Sequence, residues 1–543
     1  MNIKNIKYQM LGLLACMSPI ALTGCSDWDD HYDGTGTEST IGQTLWQEML
    51  AKPELSDFRQ VLQETKVFRQ HKRTAVSYAE LLDGVQAFTV VAPVNNSFNR
   101  DSLLQLLQTS YGDSLVEHFF VFNHLSRRIG SLTPEPKTLM MLNEKNMPFE
   151  NNQIGGVDVV QANLPAKNGV LHVTTQPLPY HYNIYEALIQ LPEFSQAGAA
   201  LSHYNKDEFD ANSSTYSHLF EGVPVYVDSV INEYNLMTRS IGYIEREDSN
   251  YWMVVPTNEG WQKAWDKAKE YFKYDKTVLK RDSMQHYWTT RALVDDATYN
   301  RNLQNSPNDS LISVQYNRLK PEYHVFYKPF EAGGVLNGTE AMDCSNGILY
   351  KAKEWPFTPE QSFFREIKVE GENSGLIIEE KACSYIARHV VADSISEGSY
   401  LEILPETGSS DWELTYRVNN TLSGDYDICA IVLPKTVVVQ QNPEMLPNKF
   451  KATVYYVDSL GKSQNYKCKV GKSSEFSNNP EIVDTVVLAE AFHFPTCNYG
   501  QNEIKVSIKL ACDISKKEQS SYTREMYLDC IYLRPRTSKS EEQ

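Results

Sequence analysis

A short pattern that occurs twice, with its prolines 163 residues apart, constrains this chain more than any other feature. The first copy reads Phe88-Thr-Val-Val-Ala-Pro93-Val-Asn95-Asn-Ser-Phe98, and the second Tyr251-Trp-Met-Val-Val-Pro256-Thr-Asn258-Glu-Gly-Trp261. Each is an apolar run closed by Pro, with Asn two residues on and a large aromatic three residues after that. Such a run is a strand that stops at Pro and turns into a helix, with the Asn placed to cap that helix by accepting an orphan N–H. A long-range repeat of one supersecondary unit means a duplicated domain.

Other points recur in the same order. Leu50-Ala-Lys-Pro53-Glu54-Leu55-Ser56 returns as Leu188-Ile-Gln-Leu-Pro192-Glu193-Phe194-Ser195, so each copy opens with a similar helix–turn–helix. Glu117-His118-Phe returns as Gln285-His286-Tyr. Each copy closes on Asn-Gly between apolar runs, a strong hairpin signal: Asn168-Gly169-Val-Leu171-His172 and Asn346-Gly347-Ile-Leu349-Tyr350. The offset between matched points rises from 139 to 178 residues, which gives the second copy insertions, chiefly within Asp207–Val227.

These points resemble the fasciclin domain, a family marked by a Thr-x-x-x-Pro-x-Asn-x-x-Phe box near its start and an Asn-Gly-x-x-His box near its end. Residues 41–180 fit both boxes. Residues 181–358 fit less closely, because Trp261 replaces the Phe and Tyr350 the closing His. The resemblance implies a β-core flanked by helices and a role in adhesion or extracellular recognition. Pro93, Asn95, Phe98, Asn168, Gly169, His172, Pro256, Asn258, Trp261, Asn346 and Gly347 are its structural motif positions. The family's integrin-contacting residues have no convincing counterpart here.

From residue 359 helical periodicity fades. Short alternating runs such as Tyr426-Asp-Ile-Cys-Ala-Ile-Val432 and Met526-Tyr-Leu-Asp-Cys-Ile-Tyr-Leu533 predict a β-sandwich over 359–543. Ser423-Gly-Asp-Tyr and Leu528-Asp-Cys-Ile-Tyr-Leu-Arg-Pro535 resemble the jelly-roll sandwiches of carbohydrate-binding modules. The whole therefore reads as α+β: two tandem fasciclin-like domains followed by an all-β, jelly-roll-like sandwich. Trp412, Leu414 and Tyr416 share one face of a strand. Either Trp412 and Tyr416 form a platform on which a sugar stacks, or that face is the core, and a strand's need to bury one face favours the core. Seven cysteines, from Cys344 to Cys530, follow no metal-binding spacing; they read as small buried hydrophobes, with one or two disulfides the alternative in an oxidising compartment and, the number being odd, at least one thiol left free.

The N-terminus reads as a processing signal. Lys4 and Lys7 precede an apolar run from Met10 to Leu22, too short for a confident membrane span, and it ends in Leu22-Thr23-Gly24-Cys25. This resembles the lipobox of bacterial lipoproteins, which implies a signal over 1–24, a lipid on Cys25 and an outer-membrane anchor. Ser26-Asp27-Trp28-Asp29-Asp30 resembles the surface-export signal of Bacteroidetes lipoproteins, so Asp27, Asp29 and Asp30 are its candidate residues and the protein is expected at the cell surface. Residues 25–40 form the tether. A net charge of −18, or −20 from Cys25 onward, argues against a nucleic-acid partner.

No nucleophile elbow, P-loop, dinucleotide fingerprint or H-E-x-x-H occurs. The expectation is therefore a non-enzyme with no cofactor and no metal. Its partner is an extracellular protein bound through the tandem domains, or a glycan bound through the sandwich as an accessory of an outer-membrane uptake complex. His118, His124 and His172 stand in apolar runs and read as core histidines.

Overall fold

The computed structural model describes residues 42–69, 72–220, 222–317, 322–390, 394–438 and 444–536. Cys25, Asp27, Asp29 and Asp30 lie outside them. The chain divides into two compact units, one ending at Tyr180 and one starting at His181.

In the first unit, helix Leu45–Leu50 starts at a capping box, in which Thr44 accepts from the Gln47 N–H and Gln47 reaches back to Thr44. Ser77 and Glu80 start helix Tyr78–Leu82 in the same way. A seven-stranded sheet runs in the order Leu125–Ser126, Phe88–Pro93, Gly169–Thr174, Val157–Ala166, Gln153–Ile154, Asn146–Glu150, Lys137–Met140. Only the Phe88–Pro93/Gly169–Thr174 pair is parallel. Both of these strands are almost wholly buried, as central strands covered on both faces must be. Val90 faces the helices with Leu45, Phe58, Leu62 and Leu171, while Val91 faces a smaller core with Phe149, Ile154 and Val157.

The second unit opens on the same plan. Asn183 and Glu186 form the capping box of helix Ile184–Gln190, and Pro192 starts the turn into helix Ser195–Ser202. Four strands in the order Thr298–Asn300, Tyr251–Pro256, Gly347–Ala352, Glu340–Cys344 reproduce the first four of the seven, again with the central pair parallel. Even the register is kept: Phe88 faces Gly169 and Tyr251 faces Gly347. The insertion extends a hairpin. Where the first copy has Lys66–Arg69 and Lys72–Ser77, the second has Asn205–Phe220 and Val223–Asn235.

Residues beyond 359 form the expected sandwich. One sheet runs Cys383–His389, Ser399–Pro405, Met526–Arg536, Gly424–Val432, Asp484–Phe494, with Ile367–Glu370 also on Met526–Arg536. The other runs Ile377–Lys381, Glu413–Arg417, Ser507–Cys512, Lys449–Val457, Ser463–Lys467, with Phe476–Ser477 also on Lys449–Val457. All of these pairings are antiparallel.

This sandwich is continuous with the second fasciclin-like copy. Phe272, Tyr274 and Ala292 belong to the same buried cluster as the sandwich interior. The Tyr271 ring lies 4.7 Å from Phe364, and Trp288 lies 4.7 Å from Tyr499. Ser423 and Cys497 donate their backbone N–H groups to the carbonyls of Tyr271 and Lys273. No helix among the described residues is long and apolar enough to cross a membrane.

Candidate functional site

The repeated motif residues converge on a hydrogen-bonded scaffold that is nearly identical in the two copies. Asn95 Oδ1 accepts from the backbone N–H of Asp57 at 2.9 Å, and its Nδ2 donates to the Pro53 carbonyl and to Ser56 Oγ. Asn258 accepts from Gln196 N–H and donates to the Pro192 carbonyl and Ser195 Oγ. The expectation that each Asn caps the helix following it is therefore corrected. Asn99 caps helix Arg100–Leu106, and helix Asn258–Tyr271 has no side-chain cap. Each motif Asn instead caps a helix some 40 or 60 residues earlier in the chain. Strand and Pro-Glu-apolar-Ser turn lie side by side, and the earlier helix presents its orphan N–H groups to the strand's end.

The closing Asn-Gly pair does similar work. Asn168 Oδ1 accepts from Leu45 N–H at 2.7 Å, and its Nδ2 donates to the carbonyls of Leu82 and Gly84. Asn346 accepts from Ile184 N–H and donates to the carbonyls of Ile244 and Arg246. Gly169 (φ 148°) and Gly347 (φ 146°) follow. A Cβ on either would lie 1.8 Å from the carbonyl oxygen of Phe88 or Tyr251, so only Gly lets the parallel strands meet. Pro93 and Pro256 end their strands, Phe98 packs on Phe120 at 5.1 Å, and Trp261 is buried.

The histidines are structural. His172 is fully buried; its Nδ1 accepts from Asn163 N–H, its Nε2 donates to the Gly130 carbonyl, and burial holds its pKa down. His124 donates from Nδ1 to the Phe120 carbonyl and accepts at Nε2 from Leu178 N–H, and burial pushes its pKa down to about 4. Both are neutral at ordinary pH. Tyr350, in the position of His172, packs edge-on against Trp252 at 5.6 Å.

The glycan platform suggested for Trp412 and Tyr416 is overturned. Both are buried among the sandwich's interior residues. Trp412 Nε1 donates to the Arg524 carbonyl and Tyr416 Oη to the Gly371 carbonyl. Tyr416 lies on strand Glu413–Arg417, inside its sheet, with Trp412 just before that strand, and both side chains belong to the core between the two sheets. The seven described cysteines are free thiols; five are buried, and Cys344 and Cys383 are half-buried.

Sequence patterns missed three polar assemblies. Asp296 is a buried hub that accepts from Ser313 Oγ and Ser362 Oγ, both at 2.8 Å, and contacts His324 Nδ1 at 2.8 Å. The carboxylate sits at its centre, so it joins three segments rather than relaying a proton from a hydroxyl through the imidazole. Glu370, Asp529 and Cys530 place ligand atoms within 4.8 Å of one another. Ser396 bonds both carboxylates, and burial pushes Asp529 up to about 7, so hydrogen bonds and a retained proton account for this group. At one end of the sandwich lies a cleft of about 210 Å3, with Lys435, Asn448, Asn478, Glu525 and Tyr527 among its walls. Lys435 Nζ meets Glu525 at 2.8 Å there. These residues come from segments up to 92 positions apart, a separation that no local motif registers.

Residues 53–179 match the family model described as the fasciclin domain. The search of curated proteins found no match. Among solved structures, the chain is similar to a FAS1 domain pair from the insect cell adhesion molecule fasciclin I, at 12% identity and a TM-score of 0.19, covering 51% of this chain and 90% of that one. It is also similar to the CBM22-1 xylan-binding domain of Paenibacillus barcinonensis Xyn10C, at 12% identity and a TM-score of 0.20, covering 32% of this chain and 93% of that one. With its motif asparagines, its Asn-Gly hairpin and its buried closing histidine in place, residues 53–179 of this chain are a fasciclin domain.

Proposed function

We propose that this protein works without catalysis, as a lipid-anchored protein on the outer surface of an outer membrane, and that it adheres to or recognises an extracellular partner through its two fasciclin-type domains. The observation that carries the reading is the fasciclin domain at 53–179, an adhesion-type domain whose scaffold recurs hydrogen bond for hydrogen bond in the second copy. The lipobox at Cys25 and the acidic stretch at Asp27, Asp29 and Asp30 support the location. In domain terms the reading is 41–180 and 181–358 for recognition and 359–543 for the sandwich.

The test has two arms. Cys25→Ala should release the protein from the membrane fraction; a variant that stays in the membrane sinks the anchor. Cells carrying the protein should adhere to immobilised extracellular matrix protein better than cells lacking it, and equal adhesion sinks the recognition role.

The cleft at the sandwich end favours a second reading, glycan capture in an outer-membrane uptake complex. Its walls combine Lys435 and Glu525, which suit hydroxyl groups, with the apolar surfaces of Pro480 and Leu446. It is smaller than the pockets of about 300 Å3 and upward that enclose small molecules, so it suits the end of a chain. A glycan array with the intact protein and with Lys435→Ala decides: a sugar bound by the first and lost by the second establishes the cleft, and no sugar bound removes this reading.

A further inference from the structure

Two histidines of the second copy, His203 and His286, stand 83 residues apart in the chain and meet in the fold. His203 is the C-cap of helix Ser195–Ser202, and His286 lies on helix Arg281–Val294. Their ring centres are 4.8 Å apart and the rings are tilted by 52°. His203 is exposed and His286 half-buried, so the pair is open to solvent. His286 is held by two neighbours. Its Nδ1 meets the Tyr204 hydroxyl at 2.6 Å, and its ring lies 4.9 Å from that of Trp265.

The fold does not require this pair. Helix Ser56–Glu64 of the first copy matches helix Ser195–Ser202, and Glu64 and Thr65 stand there in the positions of His203 and Tyr204. His118, which matches His286, meets the hydroxyl of Tyr180 instead, at 3.2 Å. The same skeleton is thus built with and without two adjacent imidazoles at this place.

The separation fits chelation. With metal–nitrogen bonds of about 2.0–2.1 Å and about 1.1 Å from nitrogen to ring centre, two imidazoles on one tetrahedral ion have their ring centres about 5 Å apart. Tyr204 engages Nδ1 of His286, which leaves Nε2 as its ligand nitrogen. Coordination there selects the tautomer in which Nδ1 carries the proton and donates it to Tyr204 Oη, the common support of a metal-bound imidazole. Burial, with His203 and Lys269 nearby, holds the His286 pKa below its ordinary value, so the imidazole is neutral and able to coordinate at neutral pH. The negative end of helix Ser195–Ser202 lies at His203 and favours a cation, while the charge of Lys269 opposes one. Charge alone therefore does not hold an ion here. The site fits an ion that bonds imidazole nitrogen, not Ca2+ or Mg2+, which take oxygen ligands.

We propose that His203 and His286 chelate one divalent transition cation of the Zn2+ and Cu2+ class, with water in the remaining positions. The bound ion joins the end of helix Ser195–Ser202 to helix Arg281–Val294 and stabilises the second unit, whatever partner the fasciclin-type domains recognise. Two imidazoles and water make a weaker, more exchangeable site than the four-ligand cages of structural zinc. The two histidines are too far apart in the chain to form a metal-binding motif.

The test uses the full chain, stripped with a chelator and titrated with Zn2+ in a calorimeter. One Zn2+ should bind per chain at the tightest site. Its affinity should fall by about tenfold or more in His203→Ala and in His286→Phe, which keeps a ring against Trp265. Excess Zn2+ should raise the melting of the second unit and leave the first unit's transition in place, as a ligand of the folded second unit requires. That rise should vanish in His203→Ala. Cu2+ at one equivalent should show hyperfine splitting from two imidazole nitrogens in electron paramagnetic resonance, and from fewer in either variant. Ca2+ should neither bind nor shift the melting. Failure of the full chain to bind Zn2+, unchanged affinity in either variant, equal shifts of both transitions, a Cu2+ spectrum from one nitrogen, or Ca2+ binding of equal strength overturns the proposal.

Discussion

The two fasciclin-type copies share a skeleton and differ in what it supports. In each, one Asn at the end of the central strand ties down the Pro-Glu-apolar-Ser turn, and a second Asn in the closing hairpin ties down the opening helix. Around this skeleton the first copy builds its own second core, with three further strands and the buried His172. The second copy has a tyrosine at that position, a four-stranded sheet, and helices whose outer residues are part of the sandwich interior. One copy is complete in itself and the other is half of a larger body. The lesson is that motif residues preserve the crossing of strand and helix, whereas the periphery sets whether the domain stands alone.

The largest expected effect breaks the comparison at the shared core. Phe364 is buried between Tyr271 of the second copy and Tyr426 of the sandwich, at ring distances of 4.7 and 5.0 Å. Phe364→Ala should destabilise by about 3–5 kcal/mol, the cost of a large cavity. In calorimetry the second copy and the sandwich should move down in temperature together while the first copy's transition stays. Separate shifts of copy and sandwich would show that they are not one cooperative body.

Acidity should sharpen the comparison. The pKa of His124 is about 4 in the folded first unit and near 6.5 when unfolded, so the unfolded chain binds the extra proton between those values. Stability of the first unit should therefore fall as pH drops from 6.5 to 4, by on the order of 3 kcal/mol from this group. Asp529 in the second unit is shifted the other way, from 3.8 up to about 7, so the folded state holds the extra proton and its contribution fades as pH rises through that range. Melting followed at pH 5 and pH 7.5 should show the first unit's transition falling on acidification and the second unit's transition rising through the Asp529 contribution. A first-unit transition that does not move with pH, or that moves equally in His124→Gln, refutes the assignment.

The smallest effect compares the copies at one matched position. Asn95→Ala and Asn258→Ala each remove a helix cap and should each cost about 1–2 kcal/mol, the first in the first unit and the second in the other. An effect in one copy alone would mean that the shared geometry does not carry shared energy.

Much of this was legible from the chain. The duplication, the insertion in the second copy and the shift to β-structure after 359 all follow from local patterns whose spacing is set by backbone geometry. The site was legible only in part. The motif positions could be named, yet the helix capped by Asn95 could not, because a cap is satisfied by whichever orphan N–H lies within about 3 Å, and sequence proximity is a poor guide to that. Trp412 and Tyr416 show the same limit: an alternating strand has two faces, and only the second sheet decides which is inside.

By itself, then, the sequence determined the repeat, the strand–helix alternation and the glycine at each strand crossing, since these depend on short-range sterics and on side-chain period. The tertiary structure alone decided the partners of the motif asparagines, the single body formed by the second copy and the sandwich, and the burial of Trp412 and Tyr416. Each of those depends on contacts between residues distant in the chain, which local propensity does not encode.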